Sequence, residues 1–118
     1  MANEISVNIT LTVSKNGTTV VGTCSKSITM AGNAFLGDVQ AIGITYEAIS
    51  FVDTVPGYVF LKNNDATNFI EVALDNAGSN KIAKLLPGQG MAWPTSSATL
   101  YAKADTAPCN MQVVAASL

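Results

Sequence analysis

The chain has no histidine and no arginine, and charged residues make up only 12% of its 118 positions. That is about half of the roughly 25% usual in globular domains. Each shortage excludes something. Histidine is the commonest general base, the usual partner of a serine or cysteine nucleophile and a frequent zinc ligand. Six lysines against eight acids, spread over both halves, provide no basic stripe to neutralise phosphates, so nucleic acid is not an expected partner. No apolar run approaches the roughly 20 residues of a membrane span, and no membrane partner is expected. Met1-Ala2-Asn3-Glu4 lacks the basic start and apolar run of a signal peptide, which places synthesis in a cytoplasm. The two cysteines, Cys24 and Cys109, are expected to be buried free thiols rather than a bridge.

What remains is apolar and hydroxyl-rich. Nearly half of the residues are hydrophobic, 48%, and Val, Ile, Thr and Ser dominate over charged helix formers, which favours strands. A chain of this length buries roughly two-thirds of its unfolded surface as one domain, here residues 1–118.

From Ile5 to Val13 every odd position is apolar and every even one polar, the pattern of a half-buried strand. Lys15-Asn16-Gly17-Thr18 follows, and Asn-Gly is the preferred centre of a type I′ hairpin turn. Pairing Lys15 with Thr18 sets Val13 against Val20, Ile9 against Cys24 and Ile5 against Ile28. The other face then matches Ser6 with Ser27, Asn8 with Ser25 and Thr10 with Thr23. Turn chemistry and pattern agree on one register. Only Lys26, opposite Val7, fits poorly.

Short β-like runs follow near 38–43, 45–51, 58–62, 68–74, 81–86, 90–93, 98–103 and 109–115, and 31–37 has room for a short helical turn. Turn-forming clusters such as Pro56-Gly57, Asn63-Asn64-Asp65 and Leu86-Pro87-Gly88-Gln89-Gly90 separate the runs. This spacing predicts an all-β fold, an antiparallel, jelly-roll-like β-sandwich with an N-terminal β-hairpin.

Motifs that carry chemistry are sparse. Eight scattered acids are poor material for a paired-carboxylate glycosidase, and neither cysteine has an activating base near it in sequence. Asn63-Asn64-Asp65-Ala66-Thr67-Asn68 is rich in oxygen ligands but lacks the spacing of a calcium loop, and reads as a turn capped by its own side chains. The Pro-Gly segment at 86–90 is followed by no Lys-Ser/Thr pair, so it reads as a tight turn and not a phosphate loop. Trp93, with Tyr58, Phe60, Phe69 and Tyr101, offers a sugar-binding platform as an alternative to core packing. No catalytic residue, cofactor or metal ligand is assigned.

The hairpin's polar face is the candidate site. Ser6, Asn8, Thr10, Thr12, Ser14, Thr23, Ser25, Ser27 and Thr29 form a flat, uncharged, hydrogen-bonding surface. A long strand without lysine or proline guards along its edge normally needs cover, and charge is depleted in the centre of interfaces. The face is therefore expected to serve assembly.

The second half carries a resemblance. Gly57-Tyr58-Val59-Phe60-Leu61-Lys62-Asn63-Asn64-Asp65-Ala66-Thr67-Asn68-Phe69-Ile70-Glu71-Val72 resembles a Gly-Tyr-hydrophobic-Lys-Asn-x-Asp-x-Thr-Asn-aromatic segment of small virion proteins of tailed bacteriophages. Lys84-Leu85-Leu86-Pro87-Gly88-Gln89-Gly90 and Leu100-Tyr101-Ala102-Lys103-Ala104-Asp105-Thr106-Ala107 resemble the two segments that follow it there, so that the likeness spans about residues 57–115. It implies a small β-sandwich structural protein of the capsid decoration or auxiliary type. Such a protein is made in the host bacterial cytoplasm and resides in the virion, without catalytic residues. Its expected partners are the major capsid protein or other virion proteins, and further copies of itself, expected as a homo-oligomer, a trimer. A tail, connector or fibre component, and a carbohydrate-binding module, are the alternatives.

Overall fold

The computed structural model describes residues 3–51, 55–96 and 99–117, and all regular structure among them is β. The hairpin strands are β1 (Ile5–Lys15) and β2 (Thr18–Ile28). They form a two-stranded sheet of their own in the register set by the turn, from Lys15↔Thr18 through Ile9↔Cys24 to Ile5↔Ile28. Asn16 and Gly17 both have positive φ, 52° and 78°, as a type I′ turn requires at its two central residues.

Eight further strands form two four-stranded antiparallel sheets packed as a β-sandwich. They are β3 (Phe35–Ile42), β4 (Glu47–Ala48), β5 (Tyr58–Asn63), β6 (Ile70–Ala73), β7 (Lys81–Leu85), β8 (Gly90–Pro94), β9 (Tyr101–Ala104) and β10 (Cys109–Ala116). One sheet has the order β3-β10-β5-β8, the other β4-β9-β6-β7. Every connection between successive strands crosses from one sheet to the other except β6 to β7. The core lies between the sheets. Alternate residues of β5 (Val59, Leu61, Asn63) and β10 (Cys109, Met111, Val113, Ala115) are buried with Ile42, Ile70, Val72 and Leu100, the period of two expected of strands with one face inward.

The structure corrects several expectations. Residues 31–32 form a bend and 33–34 are irregular, and the segment expected to turn helically instead enters β3 at Phe35. The run at 45–51 contributes only Glu47–Ala48 to a sheet. The run at 98–103 begins at a position outside the described residues, and its strand is Tyr101–Ala104. Cys24 is exposed and only Cys109 is buried, both as free thiols.

The largest correction concerns the hairpin, expected to bury its apolar face along its length. Only Val7 is buried, whereas Leu11 is 68% exposed, Val13 55% and Val20 65%. The reason is reach: 11 paired residues at about 3.4 Å each span roughly 37 Å, and only the base lies against the sandwich. The radius of gyration, 15.3 Å, exceeds the roughly 13.5 Å of a compact chain of this length. Beyond its base, the hairpin is an arm.

Candidate functional site: the arm and the uncharged sheet face

The seven residues Ser6, Asn8, Thr10, Thr12, Thr23, Ser25 and Ser27 lie on one face of the arm, all of them exposed. The face partly satisfies itself. Ser25 Oγ donates to Asn8 Oδ1 at 2.8 Å, Asn8 Nδ2 reaches Ser6 Oγ at 3.5 Å, and Ser14 and Thr19 share a hydroxyl bond of 2.8 Å near the tip. Val21, opposite Thr12, interrupts the polar row. The remaining donors and acceptors face outward, spaced by the strand repeat and carrying no charge. Such a face can bind by hydrogen bonds but offers no group with the acid–base character needed for catalysis.

The opposite face of the arm is an apolar strip, Ile9, Leu11, Val13, Val20 and Cys24 in cross-strand register. At the base, Ile5, Ser6, Val7 and Asn8 line a cavity of about 300 Å³ together with Tyr58, Phe60, Ala92 and Val114. The arm thus begins on the outer face of the β3-β10-β5-β8 sheet.

Sequence reasoning did not single out that outer face. Register places Phe35, Ala116, Tyr58 and Pro94 in one row across the four strands, and Gly37, Val114, Phe60 and Ala92 in the next. The third row is Val39, Gln112, Lys62 and Gly90, and Lys62 is the single charge among the three. Phe35 is 73% exposed, and Val39 and Val114 are also exposed. A signal was present in sequence: Tyr58-Val59-Phe60-Leu61 and Val113-Val114-Ala115-Ala116 are apolar at both parities, as in strands covered on both sides.

The other sheet is its electrostatic opposite. On its outer face Glu71 stands in register between Lys84 and Lys103, and the Lys81 ammonium lies 3.6 Å from the Glu71 carboxylate. The Lys84 ammonium sits 4.2 Å above the Phe69 ring. Charge and aromatic faces are mixed there, as on a hydrated surface.

The structure scatters the five aromatics that suggested a sugar platform. Trp93 packs inward against the core opposite Val59. Tyr58 and Phe60 point to the outer face of that sheet, Tyr101 belongs to the other, and Phe69 lies in the loop before β6. The oxygen-rich loop is internally closed: Asp65 Oδ2 accepts from the backbone N–H of Thr67 at 2.9 Å and of Asn68 at 2.6 Å. Those donors, Asn68 first, hold the Asp65 carboxyl below its ordinary pKa against a smaller opposing effect of burial. Among the described residues no three His, Cys, Asp or Glu side chains gather at one point, and no helix is long and apolar enough to cross a membrane.

Tyr46 is held on the charged side. Its ring lies against Gly78, in a loop whose φ of 72° only glycine adopts easily. Its hydroxyl is buried without a partner. Desolvation, followed by the nearby Glu71 and Asp75 charges, raises its pKa. The group is a neutral phenol locked under a loop, which suits packing and not proton transfer. Burial, followed by the Asp65 and Asp105 charges, likewise raises the pKa of Cys109.

No family model, curated protein or solved structure matches the chain.

Proposed function

We propose that the protein is a non-catalytic structural component of a bacteriophage virion, an accessory capsid protein that decorates or cements the head by bridging capsid subunits. The observation that carries this reading is the segregation of charge. One sheet face is charged and suited to solvent, while the other carries Lys62 alone in three rows, and the arm it supports carries only Lys15 and Lys26 among apolar and hydroxyl groups. Interfaces that bury their centre lose charge in this way, whereas a catalytic centre needs titratable groups placed together.

Supporting features are the strand order, which we read as a jelly roll, an architecture used in viral capsids, and the resemblance over residues 57–115. The hydroxyl face of the arm, centred on Asn8, Thr10, Thr23 and Ser25, is the surface offered to the major capsid protein. Its uncharged hydrogen-bonding rows fit a partner's backbone edge or polar surface.

The test is binding of the purified protein to shells that lack it, with quantitative mass spectrometry of separated heads and tails. Saturable binding and a high copy number in heads are expected. Copies confined to tails would move the protein to the connector, tail or fibre, and absence from both would end the virion reading.

A further inference from the structure

The arm's apolar strip and the uncharged sheet face are both exposed in one chain, and neither can cover the other. Pairing in the hairpin is continuous from Ile5 to Lys15, so the arm runs on from its base without folding back over β3. Beside that base lies an open groove of about 700 Å³, lined by apolar Ile5, Met30, Phe35 and Val114 and bordered by the polar Glu4, Ser6 and Asn33. We propose that the occupant of this groove is the arm of a second copy of the chain, and that copies associate by giving and receiving arms.

Continuity is the first argument. The base of each hairpin already lies on this face through residues 5–8, with Val7 buried and Ile5, Ser6 and Asn8 beside it in a cavity shared with Phe60 and Val114. Ile9, Leu11 and Val13 continue the same alternation one strand repeat further on. The groove therefore adjoins a surface that already accepts this pattern, in the same molecule.

Chemistry is the second. From Ile9/Cys24 to the Val13/Val20 pair the strip carries no charge, and the two sheet rows next to the groove carry none. An apolar strip and an apolar seat suit each other, while neither matches the charged outer face around Glu71, Lys84 and Lys103.

Area is the third. The free arm is roughly 27 Å long and about 10 Å wide from strand rise and spacing, so one arm on one seat removes roughly 540 Å² from water, counting both surfaces. A single contact falls short of the roughly 1,000–1,200 Å² of a specific interface. A reciprocal pair, in which each copy gives one arm and receives the other, makes two such contacts and buries about 1,100 Å² in total, which reaches it. A closed assembly is thereby favoured over an open pair, because only closure occupies every arm and every seat.

Native mass spectrometry and light scattering on the purified full-length chain test this directly. The wild type is expected to form a closed, reciprocal dimer at micromolar concentration. Leu11→Lys on the arm and Phe35→Glu on the seat each place a charge in the contact, and each should weaken association about ten-fold or more. Mixing the two variants should restore a mixed oligomer, since the lysine-bearing arm then meets the glutamate-bearing seat and the unmodified arm meets the unmodified seat.

Both positions are exposed, so the fold should survive. Trp93 fluorescence checks this, and Val20→Lys with Val39→Glu form a second pair should either variant unfold. A monomeric wild type, an oligomer indifferent to the seat variants, or a mixture that stays dissociated would each overturn the proposal. Self-association is read on the isolated chain and capsid binding on shells, so either can fail without the other.

Discussion

Replacing Asn63 should destabilise this protein more than its single side chain suggests. Asn63 ends β5 and is fully buried, 0% exposed. Its Nδ2 donates to the carbonyls of Asn68 at 2.8 Å and Leu85 at 3.0 Å, and its Oδ1 accepts the Asp65 N–H at 2.9 Å. One side chain thus ties the loop after β5 to the end of β7. Asn63→Leu keeps most of the volume but leaves three backbone groups without their partner. The Leu85 carbonyl is in a buried bond, and its loss should cost about 2 kcal/mol. The two part-buried partners can turn towards water and should cost about 0.5–1 kcal/mol each. The sum, roughly 3–4 kcal/mol, corresponds to a fall in Tm of about 12–16 °C for a domain of this size.

The near-isosteric Asn63→Asp sharpens the test. Ionised, it sets a carboxylate oxygen against two carbonyl oxygens, whereas protonated it can still donate to one of them. Its folded-state pKa should therefore rise above the unfolded value near 3.9. Below the unfolded value both states are protonated and there is no charge penalty. The penalty then grows with pH and is complete above the folded value. Urea denaturation followed by circular dichroism, at fixed protein concentration and with the wild type measured at each pH, reads both effects. An Asn63→Leu variant within 1 kcal/mol of wild type, or an Asn63→Asp deficit that is the same at pH 3 and pH 7, would refute the assignment of Asn63 as a buried tie.

Four further outcomes are expected. Gly78→Ala would drive a methyl group into the Tyr46 ring at a φ of 72° and should lower stability by about 2–3 kcal/mol. Gly37→Ala, with nothing within 4 Å of the added carbon, should change the urea-derived stability by less than about 0.5 kcal/mol. The Asp65 carboxyl is lowered by its backbone donors, so its contribution is present above the unfolded pKa and lost as pH falls through the lower folded value. Acid denaturation should be shallower in Asp65→Asn than in wild type, and equal slopes would count against the loop's role. Finally, iodoacetamide should label Cys24 in the native monomer and spare Cys109, which is buried with a raised pKa. Peptide mass mapping with and without denaturant checks this.

Local chemistry made much of the fold legible. The Asn16-Gly17 turn and the alternation from Ile5 to Val13 specify one register because a one-residue slip would reverse every side chain, and the observed pairing follows it strand for strand. Turn clusters at 63–65 and 86–90 likewise mark real strand ends, since their side chains and glycines satisfy the backbone locally. Leu86 N–H, for instance, donates to Gln89 Oε1 at 2.9 Å. β3 was harder to read: Gly37, Asp38 and Gln40 interrupt its pattern. Gln40 has partners on another segment, donating to the Ala48 carbonyl and accepting from the Ser50 N–H.

By itself, then, the sequence determined the strand alternation, the hairpin and its register, and a charge-poor composition unsuited to histidine chemistry. These depend on contacts within a strand or across a tight turn, where a residue and its neighbours carry the whole energy. Tertiary structure decided which alternating faces found cover. The apolar residues of β5 and β10 read alike in both parities, yet one set fills the core and the other lies on an open sheet face. Leu11 and Val13 read as core residues yet stand on a projecting arm. Alternation specifies which side chains share a face, but whether that face is buried depends on what the rest of the chain can reach, and here the hairpin is longer than the body beneath it.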